Sequence, residues 1–233
     1  MNEVTKLNGI IGCEESQEVT KAFSERGHLF HSCDLLPCSG GRPDLHIQDN
    51  IFHVLHVGLN FLGSHPPCTY LANSGVRWLA SKRPRIGFEW SEKHQIYINN
   101  ERFEKMRLAA IFFRSLYSWT QTIGMGYLEN PIMHKYALEI IGVKPDQIIQ
   151  PWQFGHGETK ATCLWLVNLP KLKPSNIVEG REQRIWKLPP SEDRARQRSK
   201  TFPGIAAAMA CQWSDIKPSK HYRAPDLFDN VPA

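Results

Sequence analysis

Short apolar runs closed by glycine or a polar residue, separated by stretches of helical periodicity, constrain this chain most. Asn8-Gly9-Ile10-Ile11-Gly12 is too short and too glycine-bounded for a helix, and reads as a buried strand. Ser16 to Arg26 then carries Val19, Ala22 and Phe23 at helical spacing, with Gly27 as its C-terminal cap. Leu29 to Cys33 reads as a second strand ending at Asp34, and His53 to Phe61 accommodates a short helix and a strand before Gly63-Ser64-His65. From Asn100, a good N-cap, Phe103, Met106, Ala110, Phe113 and Tyr117 mark one face of a long amphipathic helix. Gly126-Tyr127-Leu128 leads as a strand into Glu129, Ala161 to Leu166 is another strand, and Ala206 to Trp213 is a closing helix. Strands alternating with helices predict an α/β domain with a largely parallel sheet. In such sheets ligands bind beyond the carboxyl ends of the strands. The polar residues of interest fall at predicted strand ends: Cys13 to Gln17, Asp34, Asp49, Cys68 and Glu129.

The 233 residues suit one domain, or one domain with a small appendage, and 41% hydrophobic residues suffice for a real core. No apolar run reaches about 18 residues, so no transmembrane helix is expected. Met1 to Lys6 lacks the apolar stretch of a signal peptide, and the expectation is a cytoplasmic protein. The six cysteines are dispersed without a CxxC pair, as thiols in a reducing compartment would be. Cys33 and Cys38 with His31 match no common zinc spacing, so no metal is expected. A net charge of +5 permits nucleic-acid binding without establishing it. The positive charge is clustered: Arg77, Lys82, Arg83 and Arg85 in one stretch, and Arg181, Arg184, Arg194, Arg196, Arg198 and Lys200 in a later one.

Three places carry candidate chemistry. Asp34 lies about 20 residues beyond the first strand-to-helix turn, where a carboxylate can accept both hydroxyls of an adenosine ribose. The turn itself, Cys13-Glu14-Glu15-Ser16-Gln17, is not glycine-rich and carries two carboxylates. It would repel a pyrophosphate but receive a cationic sulfonium, which favours S-adenosylmethionine over a dinucleotide. Cys68 follows Pro66-Pro67, which fix the backbone and block a helix, so that a thiol is held out towards a cleft. Glu129-Asn130-Pro131 sets a carboxylate at another strand end, where it can act as a proton donor.

Pro66-Pro67-Cys68, then Ser74-Gly75, then Glu129-Asn130, in this order, resembles the motifs of DNA cytosine-5 methyltransferases. Thr201 to Ala210 looks like that family's closing motif, which packs back against the cofactor. The chain resembles a compact branch of the family, of the kind carried by phages or prophages in a bacterial host. The resemblance implies an α/β, Rossmann-like S-adenosylmethionine-dependent methyltransferase fold with a mostly parallel sheet and a reduced target-recognition region. It implies a catalytic domain over 1–168, a short recognition arm over 169–200, a closing helix over 201–213 and a tail over 214–233. Cys68, Glu129 and Asn130 would be catalytic. Cys13, Glu14, Glu15, Ser16, Asp34, Leu35, Asp49, His65 and Pro67 would meet the cofactor, and Pro66, Ser74, Arg77, Lys160 and Thr162 the substrate. The implied reaction is methylation of carbon 5 of cytosine in DNA, through a covalent adduct of Cys68 at carbon 6. A mobile loop after the cysteine would close behind the base, and Arg77 to Arg85 would meet phosphates.

The chain also departs from the family. The first loop lacks its glycines, and His65 stands where a small residue is usual. The segment Phe154 to Thr162 holds Lys160 instead of the arginine that grips the base. About 40 residues separate the last strand from the closing motif, fewer than a separate recognition domain needs. Glu14 and Glu15 could hold the methionine amino group or cap the following helix. Three functions therefore stand: a DNA cytosine-5 methyltransferase, an enzyme using the same site on a free or single-stranded pyrimidine nucleotide, and a catalytically silent nucleic-acid-binding protein. A monomer is the default expectation.

Overall fold

The computed structural model describes residues 6–56, 58–189, 191 and 194–216; the expected tail lies outside the described residues from 217 onward. Seven strands form one sheet: β1 (Asn8–Gly12), β2 (Leu29–Asp34), β3 (His46–Gln48), β4 (Phe61–Ser64), β8 (Gly126–Pro131), β9 (Gln147–Ile149) and β10 (Thr162–Val167). Their spatial order is β3-β2-β1-β4-β8-β10-β9. Every pairing from β3 to β8 is parallel, and β10 runs antiparallel to both β8 and β9. The mostly parallel α/β sheet expected from the sequence is present, as a Rossmann-like arrangement. The chain leaves β1 in one direction towards β2 and returns on its other side as β4, so the order reverses there. Such a switch point opens a crevice at the strand ends.

Strand alternation sorts the core into two layers. Ile10, Leu62, Leu128 and Trp165 face one side, where α2 (Ile51–Val54), α3 (Asn100–Ile123) and α4 (Lys135–Ile141) cover them. Ile11, Phe61, Tyr127 and Leu164 face the other, beneath α1 (Glu18–Glu25) and α7 (Pro203–Trp213). On that second face Trp213 is fully buried, stacks near Tyr127 at 5.3 Å and donates its indole N–H to the Pro170 carbonyl. Trp213→Ala should cost about 3–5 kcal/mol of stability in urea unfolding, a large-to-small change with an unfilled cavity.

The long helix α3 is capped by Asn99, whose side chain accepts the Arg102 N–H; Asn100 is its first residue. The expected cap was therefore one residue late, and two adjacent asparagines make either position chemically able to serve. Met106, Ala110 and Phe113 are buried as the periodicity predicts. Gly126 opens β8 because a Cβ there would lie 1.9 Å from the Leu62 carbonyl oxygen.

Three features differ from the sequence reading. The stretch after Cys68 is not a plain loop: a 3₁₀ turn over Asn73–Trp78 leads into β5 (Ala80–Ser81), β6 (Glu89–Ser91) and β7 (Ile96–Ile98), a separate small antiparallel sheet in the order β5-β7-β6. Its strands have two or three residues each, too few for an alternating pattern to register. The region 169–200 is not simply an extended arm. It makes isolated bridges to Phe154 and Glu158, then forms α5 (Arg184–Lys187) and α6 (Arg194–Ser199). The third is α4, unforeseen in the sequence; His134 caps it by accepting the Ala137 N–H. No described helix is long and apolar enough to cross a membrane.

Candidate active site

The carboxyl ends of β1, β2, β3, β4 and β8 share one edge of the sheet, and the antiparallel β10 brings its amino end there. Cys68 leaves β4 through His65-Pro66-Pro67. His65 N–H donates to the Gly12 carbonyl, and the Asn130 amide donates to the Pro66 carbonyl at 2.7 Å. Two neighbouring strands thus hold the proline turn. Leu71 and Ala72 N–H both donate to the Cys68 carbonyl, and Asn73 N–H donates to Ile132 just beyond β8. The thiol sits on a loop fixed at both ends. Asn130, expected as catalytic, positions the turn through its amide, while its buried Oδ1 accepts no hydrogen bond among the described residues.

Register puts Glu129 opposite Leu164 and Pro131 opposite Thr162, so β10 delivers Lys160 and Thr162 beside Glu129. Thr162 is buried and spends its hydroxyl on the Lys160 carbonyl. Burial raises the Cys68 thiol pKa, opposed by the charges of Lys160 and Arg198 and reinforced by that of Glu129. Burial lowers Lys160, opposed by Glu129 and Cys68. The four groups therefore share one electrostatic neighbourhood. Other buried thiols lack such cations: burial pushes Cys33 and Cys163 up to about 11, and burial with Asp34 pushes Cys13 up to about 12. At Cys68, in contrast, two nearby cations oppose the effect of burial.

Glu129 is buried, and its Oε2 accepts the Thr201 hydroxyl at 3.2 Å. His65 Nε2 stands 2.8 Å from the Tyr127 hydroxyl and 3.8 Å from Glu129 Oε2. Burial, then the charges of Glu14 and Glu129, raise Tyr127 well above its usual value, which keeps it a neutral hydroxyl. Lys160 Nζ donates to the Lys200 carbonyl, and its backbone N–H donates to the Gln150 side chain. Thr201, Tyr127 and Arg198 were not singled out as site residues from the sequence. Only the basic run and the closing motif hinted at two of them.

On the cofactor side the two carboxylates of the first turn separate. Glu14 is buried with both oxygens on α1, accepting Val19 N–H, Thr20 N–H and the Thr20 hydroxyl. It caps the helix. Burial raises its carboxyl pKa, opposed by His65 and by these hydrogen bonds. Glu15 instead accepts from Arg196 of α6, at 3.1 and 3.4 Å. Cys13 and Gln17 take left-handed backbone angles, φ 57° and 59°, which fold the turn without glycine. Buried Ser16 gives this turn its close contact with Gly40, where a Cβ would meet the Ser16 carbonyl oxygen at 2.5 Å.

Asp34 Oδ1 accepts the Leu36 N–H, and its Oδ2 accepts no hydrogen bond among the described residues. Leu35 beside it is 71% exposed. Asp49 Oδ1 accepts the Asn50 N–H and contacts His53 Nδ1 at 2.9 Å, so it organises the start of α2. Asp34, with one oxygen open among the described residues and exposed Leu35 beside it, could receive a hydroxyl-bearing ligand such as a ribose. Pro67 is exposed at the rim, as are Ser74 and Arg77 on the small antiparallel sheet's approach. No group of His, Cys, Asp and Glu among the described residues could hold a metal ion.

No family model matches the sequence, and no curated protein matches it. Among solved structures the chain is similar to the Entamoeba histolytica methyltransferase EhMeth, at 13% identity and a TM-score of 0.44. The match covers 77% of this chain and 58% of that one. Similarity at this level carries no conclusion about activity.

Proposed function

We propose that this chain transfers a methyl group from S-adenosylmethionine to carbon 5 of cytosine in DNA, through a covalent bond between Cys68 and carbon 6. The observation that carries the reading is the convergence of Cys68, Glu129 and Lys160, from three separate segments, at one end of a parallel sheet. When bound, S-adenosylmethionine supplies an electrophilic methyl group; Asp34 would accept its ribose hydroxyls and Leu35 would cover its adenine. Cytosine carbon 5 is a poor nucleophile until a group adds at carbon 6. The Cys68 thiolate forms that bond, and electron density moves towards ring nitrogen 3, which the Glu129 carboxyl protonates or hydrogen-bonds. Lys160 and Arg198 stabilise the thiolate before attack. Carbon 5 would then take the methyl group as the sulfonium–methyl bond breaks to leave a neutral thioether, its proton would pass to a base, and the bond between carbon 6 and the Cys68 sulfur would break to release the thiolate. The nitrogen 3 proton returns to Glu129.

The test uses DNA carrying 5-fluorocytosine, whose fluorine cannot leave as a cation. With cofactor present, the protein should form a stable adduct on Cys68 whose mass includes the strand and one methyl group. Methyl transfer to ordinary cytosine without any such adduct on the fluorinated strand would overturn the covalent route.

A further inference from the structure

The strongest unassigned feature is the small sheet β5-β7-β6, reached from Cys68 through the 3₁₀ turn Asn73–Trp78 and tied back to the rim of the site. Asn73 N–H donates to Ile132 at its start, and Asn99 N–H donates to the Leu79 carbonyl at its end. Buried Leu79 belongs to the main core, and Ala80 and Ile96 pack against it. Its outer surface is different in kind. Between Asn73 and Ser91 the sequence carries four cations, Arg77, Lys82, Arg83 and Arg85, against one anion, Glu89. All four cations are exposed, and none forms an ion pair among the described residues.

Aromatic rings are interleaved with these charges. Trp78 is 48% exposed, with the Arg77 and Arg85 guanidinium carbons 5.2 and 5.3 Å from its ring centroid. Trp90 is 46% exposed and packs edge-on against Tyr97 at 5.2 Å. A solvated charged face has no need of half-exposed tryptophans. Indole and guanidinium planes offer bases a sequence-tolerant stacking surface, and unpaired arginines and lysines offer phosphates a partner. A base inside a duplex keeps both its faces covered by its neighbours, so stacking on Trp78 requires an unpaired strand.

We propose that the β5-β7-β6 sheet is a platform for single-stranded DNA, holding the nucleotides that flank the base delivered to Cys68. The proposal rests on the reading of the site as a cytosine methyltransferase for its choice of DNA. It places substrate recognition in residues 73–98, ahead of α3, instead of in the segment between β10 and α7.

The experiment measures binding alone, without cofactor, so that it stays informative whatever the site catalyses. The full-length protein is titrated into a short fluorescein-labelled single-stranded oligodeoxynucleotide, and into its duplex, and anisotropy is followed across salt concentrations. Trp78→Ala should weaken single-strand binding about 5- to 100-fold, the usual loss for one base-stacking ring. Trp78→Phe, which keeps an aromatic face, should retain most of the affinity. Replacing Arg77, Lys82, Arg83 and Arg85 together by alanine should flatten the slope of log affinity against log salt by up to about 3. Wild-type affinity in both Trp78→Ala and the fourfold variant overturns the platform, as does binding of the duplex tighter than the single strand. Neither outcome touches the covalent adduct test, which can fail or succeed separately.

Discussion

Replacing Cys68 with alanine should lower single-turnover methyl transfer by at least about 10³-fold, since loss of a covalent nucleophile leaves only binding and positioning. The fluorinated strand should no longer be trapped. Cofactor affinity should stay within a factor of a few, because Asp34 and Leu35 sit on β2 and its exit, away from the altered side chain. The pH profile gives a second check. Burial raises the Cys68 thiol, so at neutral pH the thiolate is a minor form, and the rate should climb with pH at about tenfold per unit until the thiol has titrated. Lys160, lowered by burial, loses its charge at the alkaline end and with it part of the support for the thiolate, so the climb should flatten there. A pH-independent rate from the acid side through neutrality would remove Cys68 from the chemical step. So would activity in Cys68→Ala close to that of the unaltered protein.

Glu129→Gln should slow the same step by about 10²- to 10⁴-fold, the usual contribution of a positioned proton donor. The substitution keeps the size of the side chain and an oxygen that can still accept from Thr201, so folding should be intact and the melting temperature nearly unchanged. What it removes is a carboxyl able to exchange a proton with ring nitrogen 3 as charge gathers there. The loss should fall on kcat with little change in KM, because the proton matters most once Cys68 has added. Rapid-quench kinetics on the fluorinated strand would show slower adduct formation. A variant within tenfold of the unaltered rate would leave Glu129 as a structural carboxylate, held between Thr201 and His65.

Much of the sheet was legible because its strands carry the period and punctuation that buried strands require. β1, β2 and β10 fall within a residue of their sequence expectation, while β8 continues past Glu129 to Pro131. β3, β9 and the three strands of the small sheet were not legible. Each has two or three residues, and their pairing is fixed by neighbours far away in sequence. The first turn shows the same limit at the level of single side chains. Glu14 and Glu15 are adjacent and chemically alike, yet one points its oxygens at the first turn of α1 and the other meets Arg196, 181 residues further along.

The sequence by itself determined the α/β class, the position of Cys68 after two prolines, and the placing of Asp34 at the end of a strand, whereas Glu129 lies inside β8 and Cys68 in the loop beyond β4. These are local properties: proline restricts the residues next to it, and a run of apolar residues is the same run wherever it packs. Only the tertiary structure decided that Lys160 and Arg198 stand with Cys68, that Thr201 holds Glu129, and that Asn130 secures the proline turn. Those relations depend on β10 running antiparallel beside β8 and on the segment after α5 folding back over the strand ends. Electrostatic influence falls with distance through space and ignores separation along the chain, so no spacing within the sequence could have announced it.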